Sequence, residues 1–149
     1  MQILVADDDP IYVALLKKLL GELNIETVPA SDGAEAWAVL QRPDAPDIAV
    51  LDWEMPRMDG FQVCQAIRRA PRPKWGGRHP LPYILLMTSH TSREDLLRII
   101  VAGVDDYILK PFEPLDLKIR LRTAVRIVNL EERKRECPRP RSFSGGDRP

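Results

Sequence analysis

The stretch ILVADDDP, residues 3–10, decides the fold, because four apolar residues run directly into three aspartates and a proline. A short apolar run that ends in polar residues is typical of a strand buried on both faces. Three further apolar runs end in the same way, at Asp52, Thr88 and Lys110. If the four runs are parallel strands, their ends meet at one edge of a sheet, and the acids, the hydroxyl and the amine come together there.

The rest of the chain repeats this pattern of strand followed by helix. Segments with helical spacing of apolar residues lie between the apolar runs, and such alternation predicts an α/β fold with a parallel sheet covered on both faces. The five predicted strands begin near Gln2, Ile25, Asp47, Tyr83 and Asp106. The five predicted helices begin near Pro10 behind an Asp9 cap, after Ser31-Asp32-Gly33, near Gly60, at Ser92 and near Pro114.

The predicted last helix carries more apolar residues than one sheet face requires. Leu117, Leu121, Val125 and Val128 form one stripe, and Ile119, Ile127 and Leu130 lie beside it. One use of these additional apolar residues would be a dimer interface, and this alternative stays open. Residues 131–136 contain no apolar side chain, so the sequence does not support a sustained coiled coil.

Length and composition indicate one domain with a tail. The 149 residues are 44% hydrophobic and 30% charged, which suits a domain over residues 1–130. Residues 131–149 are predicted to be a charged helix end and a disordered tail rich in Pro, Arg and Gly, or a truncated linker to an output domain. No apolar run approaches the roughly 18 residues of a membrane span, and no signal peptide is evident, so a cytoplasmic protein is expected.

Charge is distributed unevenly along the chain. Residues 1–117 carry 12 Lys and Arg against 18 Asp and Glu, whereas residues 118–149 carry 10 against 4. A solvated helix face and tail explain the basic end better than nucleic-acid binding, so we expect no direct nucleic-acid contact by this domain. The Pro- and Gly-rich stretch 70–82 is long for a connection between a helix and a strand, and its role stays open.

The predicted edge has the chemistry of a phosphoryl site. Acids that converge there repel one another, and carboxylates without Cys or His companions favour a hard cation such as Mg²⁺. Asp52 offers a carboxylate nucleophile, Asp7 and Asp8 could hold the metal, and Lys110 adds a second positive charge. Such a site can transfer a phosphoryl group to a carboxylate, because the loose transition state needs mainly position and neutralised charge.

Four motifs together resemble the receiver domain of two-component response regulators. In chain order they are ILVADDDP, LDWEMPRMDG, LLMTS and DDYILKPF, and the resemblance covers about residues 1–130. It implies a flavodoxin-like, doubly wound sheet of five parallel strands in the order 2-1-3-4-5 with five helices, for which a member of this family is a standard example. It also implies a signalling module whose catalysis is limited to its own phosphorylation and dephosphorylation.

The resemblance implies a role for each residue that matches a motif. Asp52 would be the phosphoacceptor, and Asp7 and Asp8 would organise Mg²⁺. Lys110, before a cis Pro111, would contact the phosphoryl oxygens. The remaining implied roles are a metal ligand at the Glu54 backbone carbonyl, a hydrogen bond from Thr88 to the phosphate, and a switch in which Tyr107 turns inward as Thr88 moves.

The implied partners are a histidine kinase or phosphotransfer protein as donor, and a homodimer or effector at the face formed by the fourth helix, the fifth strand and the last helix. Phosphorylation would shift this face between two states. Two rim residues, Glu54 and His90, depart from the simplest site and are candidates for tuning the lifetime of the phosphate.

Three alternative functions fit the sequence less well. An aspartyl-nucleophile phosphatase acting on small phosphate esters would use similar chemistry. Such an enzyme is expected to have a nucleophilic aspartate at the end of the first strand, an acid two residues later and then a Thr or Val, and this chain does not have that complete pattern. A flavin-binding module would need a hydroxyl-rich phosphate cradle where this chain has acids. A receiver fold that serves only as a scaffold is disfavoured by the complete set of Asp, Thr and Lys residues.

Overall fold

The computed structural model of the protein describes residues 1–70 and 81–136, in which five strands alternate with five helices. The strands are β1 (Gln2–Ala6), β2 (Glu26–Ala30), β3 (Ile48–Asp52), β4 (Tyr83–Thr88) and β5 (Asp106–Leu109). The helices are α1 (Pro10–Glu22), α2 (Gly33–Leu40), α3 (Gly60–Arg69), α4 (Arg93–Ala102) and α5 (Pro114–Glu136). Most of the predicted 70–82 loop and the predicted disordered tail lie outside the described residues.

The five strands form one parallel sheet in the order β2-β1-β3-β4-β5. This order confirms the predicted flavodoxin-like fold. Pro29 lies in β2 at an edge of the sheet, where a residue without an N–H group is tolerated. The central strand β3 is buried at every position, as expected for a strand covered by helices on both faces.

Alternating strand residues build two cores, one on each face of the sheet. Ile3 and Val5 of β1 pack on the side of α1 and α5, where Leu20 and Leu121 are fully buried. The intervening residues of β1 pack on the side of α2 and α3. Fully burying an aliphatic side chain of this size contributes roughly 1.5–3 kcal/mol, so both layers stabilise the sheet that carries the strand ends.

Polar side chains start the first four helices. Asp9, Asp32, Asp59 and Ser92 each accept a hydrogen bond from a backbone N–H of the first turn. At α3, Asp59 and Gln62 form a reciprocal capping box, which the sequence analysis did not identify. Helix α4 ends at Gly103 with φ 78°, the left-handed conformation that favours glycine.

The starts of two strands and the buried stripe of α5 differ from the sequence-based predictions. Strands β2 and β3 each begin one residue later than predicted. The buried stripe of α5 includes Ala124 where Val125 was expected, because the sequence of buried positions follows the helical period of 3.6 residues. Helix α4 buries Ile99 and leaves Ile100 and Val101 exposed, so it covers the sheet with few of its apolar residues.

Candidate functional site

The carboxyl ends of β1 and β3 bring three acids together. Carboxylate oxygens of Asp7, Asp8 and Asp52 lie within 4.8 Å of one another. Asp7 and Asp52 are buried, whereas Asp8 is exposed. An all-oxygen donor set of this kind suits a hard divalent cation that retains some of its water ligands, so the residues present fit Mg²⁺.

The three consecutive aspartates divide into a site pair and a cap. The Asp9 side chain accepts a hydrogen bond from the Ile11 N–H at 2.9 Å and so caps α1. The Asp7 side chain accepts from the Asp9 N–H at 2.9 Å, which holds the turn after β1 in place. Asp7 also donates its own N–H to the Ala30 carbonyl at 3.1 Å, so this acid is fixed by contacts on both sides.

Lys110 joins the acids from the end of β5. Its Nζ lies 2.8 Å from Asp7 Oδ2 and 3.2 Å from Asp52 Oδ1. The Lys110 N–H donates to the Thr88 carbonyl at 2.8 Å, and the peptide bond to Pro111 is cis, as the resemblance implies. The amine therefore bridges the two buried carboxylates directly.

Tyr12 is a part of this arrangement that the sequence analysis missed. The Lys110 Nζ lies 3.8 Å from the centroid of the Tyr12 ring, and that ring also contacts Phe112 at 5.8 Å between centroids. A cation held over an aromatic face gains electrostatic stabilisation. An aromatic residue in the first turn of the helix behind the acids was the available sequence signal, but nothing in the sequence related it to Lys110.

Burial and charge shift the acid–base balance of the site. Burial and, to a smaller extent, the charge of Asp7 raise the pKa of Asp52 to about 6, although Lys110 opposes both. Burial alone would lower the pKa of Lys110, but its contacts with Asp7 and Asp52 outweigh burial and raise it. At neutral pH Asp52 is therefore mostly ionised and lies beside the charged amine of Lys110.

Replacing Asp52 by Asn is expected to raise the free energy of unfolding of the metal-free protein near pH 7.5, by on the order of 3 kcal/mol. The raised Asp52 pKa means that the folded state binds more protons than the unfolded state between pH 3.8 and about 6, so stability falls as pH rises through this window. Below the window both states are protonated and the difference should vanish. Urea unfolding in EDTA, at pH 7.5 and below pH 3.8, measures the difference in unfolding free energy between Asp52→Asn and wild type. An equal gain in stability at the two pH values would contradict this account.

Thr88 and Tyr107 occupy different environments. Thr88 is buried at the end of β4, and its Oγ1 accepts a hydrogen bond from the His90 N–H at 2.9 Å. Tyr107 lies in β5 beside Leu86 in the strand register, and 36% of its surface is exposed. The structure thus places Thr88 at the site and Tyr107 on the neighbouring surface.

Glu54 and His90 contact each other, which the sequence analysis did not predict. The Glu54 carboxylate lies 2.6 Å from His90 Nε2, and His90 Nδ1 lies 3.8 Å from Asp95 of α4. The His90 ring also packs against Trp53, with 4.8 Å between centroids. Because Glu54 follows β3 and His90 follows β4, the pair links the two loops that flank Asp52.

A cation–aromatic cluster continues this link onto α4. The Arg98 guanidinium lies 5.4 Å from the centroid of the Trp53 ring and 4.8 Å from that of Phe61. The two rings stack with centroids 6.1 Å apart. Helix α4 is therefore attached to the loop after β3 through Arg98 and through His90.

Residues 3–122 match the family model described as "Response regulator receiver domain". The "Probable transcriptional regulator ycf27" of Porphyridium aerugineum is 32% identical over 137 residues, which cover 92% of this chain and 53% of that protein. The chain spans about half the length of the curated relatives it matches.

Solved structures give the same result. The Vibrio cholerae chemotaxis protein CheY4 is similar with a TM-score of 0.70 and 28% identity, covering 83% of this chain and 97% of that chain. The receiver domain of the sensor histidine kinase PA1611 from Pseudomonas aeruginosa PAO1 is similar with a TM-score of 0.70 and 25% identity, covering 83% and 96%. The latter structure is described with a magnesium ion coordinated in the active-site cleft. None of the helices over residues 1–70 and 81–136 of our chain is long and apolar enough to cross a membrane.

Proposed function

The chain belongs to the response regulator receiver domain family, and from that premise we propose that Asp52 accepts a phosphoryl group from a histidine kinase or a phosphotransfer protein in an Mg²⁺-dependent reaction. The observation that carries the proposal is the bridge made by Lys110, whose Nζ contacts Asp52 at 3.2 Å and Asp7 at 2.8 Å. A fixed amine beside a carboxylate nucleophile and an acid pair supplies the positioning and charge that phosphoryl transfer requires.

In the proposed step an Asp52 carboxylate oxygen bonds to the phosphorus of the donor. The bond from phosphorus to the donor atom breaks, and the donor leaves with the electron pair, so the product is an acyl phosphate on Asp52. Asp7, Asp8, Asp52 and the backbone carbonyl of Glu54 are the proposed ligands of Mg²⁺. When bound, the cation supplies positive charge that offsets the phosphoryl oxygens. Lys110 supplies the protein's own positive charge at the same oxygens.

The domain has a signalling role, and we propose that its catalysis is limited to its own phosphorylation and dephosphorylation. The alternative of an aspartyl-nucleophile phosphatase gains no support from the comparisons, which find receiver domains. We further propose that the domain works in the cytoplasm, which fractionation of cells would test. We also propose that an effector or output domain of the whole protein responds to the face formed by α4, β5 and α5.

The direct test is incubation of the protein with acetyl phosphate, with and without Mg²⁺, followed by intact-mass analysis. The expected result is a gain of one phosphoryl group that requires Mg²⁺ and disappears when EDTA is present. Borohydride trapping and peptide mapping would then place the acyl phosphate on Asp52. Mg²⁺ binding without any phosphorylation, either by acetyl phosphate or by a panel of kinases, would contradict the proposal.

Thr88 and Tyr107 are the proposed switch. Replacing Thr88 by Ala should leave phosphorylation within about threefold of wild type, because Thr88 is not the nucleophile, yet it should weaken the response of the α4–β5–α5 face. Hydrogen exchange of α4, β5 and α5 with and without acetyl phosphate measures that response, and Thr88→Ser, which keeps the hydroxyl, is the matched control. A full response in Thr88→Ala would remove Thr88 from the switch.

The same face is our proposed site for a homodimer, because it exposes several large apolar side chains. Among them are Leu97, Ile100 and Val101 of α4, Tyr107 and Leu109 of β5, and Leu115 of α5. Exposed apolar surface of this kind commonly marks a protein contact. Sedimentation velocity before and after phosphorylation tests the dimer, and an unchanged monomer in both states would contradict it.

Glu54 and His90 are proposed to tune the lifetime of the acyl phosphate as one unit. The 2.6 Å contact between their side chains holds the rim of the site in one arrangement. Glu54→Ala and His90→Ala should each shorten the lifetime several-fold, and the double variant should decay no faster than the faster single variant, because residues in contact are not additive. Loss of the label after removal of the donor measures the rates. Strictly multiplicative effects would show that the two residues act independently.

A further inference from the structure

Helix α5 carries a regular stripe of arginines and apolar residues on its outer surface. We call Ile119, Arg122, Arg126, Leu130 and Arg133 the α5 basic stripe. At 100° per residue these five positions fall within an arc of about 80°, centred opposite the buried stripe that includes Leu117 and Leu121. All five members are exposed, and they line a shallow groove of about 740 Å³.

The arginines of the stripe have no acidic partner among the side chains that the structure describes. Among the side chains of residues 1–70 and 81–134, Arg122, Arg126 and Arg133 make no ion pair and no side-chain hydrogen bond. Their neighbours on the helix behave differently: Lys118 pairs with Glu22 of α1, and Arg120 pairs with Asp106 of β5. The flanks of α5 are thus neutralised locally, and the stripe between them keeps its full positive charge.

The stripe is separate from the site at Asp52. Helix α5 begins after Lys110 at the edge that carries the acids and runs away from that edge. Arg122 to Arg133 span about 16 Å of helix axis toward its far end. On the β5 flank of the helix, Arg120 is engaged with Asp106. The stripe adjoins the proposed α4–β5–α5 face at its start, where the exposed Leu115 lies one turn before Ile119.

Charge and apolarity together define what could cover this surface. A second copy of the same stripe would place arginines against arginines, because no acidic side chain of the described residues lines the groove. A nucleic acid would engage the arginines but leave Ile119 and Leu130, which are 57% and 45% exposed, without an apolar counterpart. An amphipathic helix with an apolar stripe flanked by acids satisfies both features.

We propose that the α5 basic stripe is a docking surface for an acidic amphipathic helix of a partner protein. The three arginines pair with carboxylates along the bound helix, while Ile119 and Leu130 pack against its apolar stripe. Because the arginines pair with no acid in the described part of the chain, binding breaks none of the ion pairs seen there. The surface is independent of the phosphoryl chemistry and gives the domain a second contact region.

A fluorescein-labelled peptide of about 15 residues, long enough to span the stripe, is a suitable probe. It would be built from Ala, Glu and Leu, with Leu on one helical face and Glu on both flanks. Fluorescence anisotropy at low salt should show saturable binding to the wild-type chain. Arg122→Glu combined with Arg126→Glu should weaken it at least about tenfold, because two attractive contacts become repulsive.

The matched control reverses two charges elsewhere, with Arg42→Glu and Arg93→Glu, both exposed and in other parts of the surface. It should change binding by less than about twofold. Leu130→Ser should also weaken peptide binding, which a purely electrostatic contact would not show. Phosphorylation by acetyl phosphate should be unchanged in all three variants, so a failure of this proposal is distinct from a failure at Asp52.

Three results would overturn the proposal. The first is no binding of the peptide to wild type, and the second is equal weakening by the control and stripe reversals. The third is evidence for a different occupant. Tight binding of a DNA duplex that is abolished by the stripe reversal and kept in Leu130→Ser would indicate a nucleic acid. Self-association in sedimentation that only the stripe reversal removes would indicate a second copy of the chain.

Discussion

The Asp52→Asn variant is expected to gain no phosphoryl group under conditions in which the wild-type chain is fully labelled. An amide has the size and shape of the carboxylate, so the loop after β3 keeps its place. It carries no negative charge, however, and cannot supply the oxygen that bonds to phosphorus. Lys110 retains its 2.8 Å contact with Asp7, so the rest of the edge remains ordered. Intact mass after incubation with acetyl phosphate and Mg²⁺ gives the result.

A matched control is available in the same loop. Asp59 accepts a hydrogen bond from the Gln62 N–H at 2.7 Å and caps α3, and Asn is an equally good capping residue. Asp59→Asn should therefore be phosphorylated within about twofold of wild type. If Asp52→Asn were labelled to the wild-type level, or if Asp59→Asn lost as much labelling as Asp52→Asn, the nucleophile would have been assigned wrongly.

Loss of labelling in Asp52→Asn is readily separated from loss of folding. Burial and the charge of Asp7 raise the pKa of Asp52, so the ionised carboxylate destabilises the metal-free fold. The amide removes that penalty, and the variant is expected to be more stable than wild type near neutral pH. We therefore expect Asp52→Asn to gain no phosphoryl group and to unfold at a higher urea concentration than wild type. The two results together would show that the ionised nucleophile lowers the stability of the fold.

The fold was accessible from the sequence because its signals are local. A short apolar run followed by an acid, a hydroxyl or a lysine identifies a strand and its end, and parallel pairing then places all the ends at one edge. Asp9 as a cap also follows from a local rule, and the structure confirms it.

Contacts between side chains from different loops were not accessible in the same way. Glu54 and His90 were each identified as rim residues, but the 2.6 Å contact between them depends on how the loops after β3 and β4 close. Tyr12 under Lys110 is a similar case, because the ring comes from α1 and the amine from β5. No spacing rule within one element relates such residues.

The Gly60→Ala variant is expected to lose about 3 kcal/mol or more of unfolding free energy, and most of its phosphorylation. Gly60 starts α3 directly behind the site, and its N–H donates to the Trp53 carbonyl at 2.8 Å. An added Cβ would lie 2.3 Å from the Asp52 carbonyl oxygen and 2.9 Å from Leu86 Cδ1. Since the first of these atoms is backbone, relief of the clash must move the end of β3 and with it the nucleophile.

Gly21→Ala is the matched control for this prediction, because the same methyl group is added where there is room. A Cβ at Gly21 would meet no atom within 4 Å, and the residue lies inside α1, where alanine is favoured over glycine by about 1 kcal/mol. The urea concentration at the midpoint of unfolding should therefore fall in Gly60→Ala and rise in Gly21→Ala. If Gly60→Ala unfolded like wild type and kept its labelling, the close approach of α3 to the Asp52 backbone could not be what positions the nucleophile.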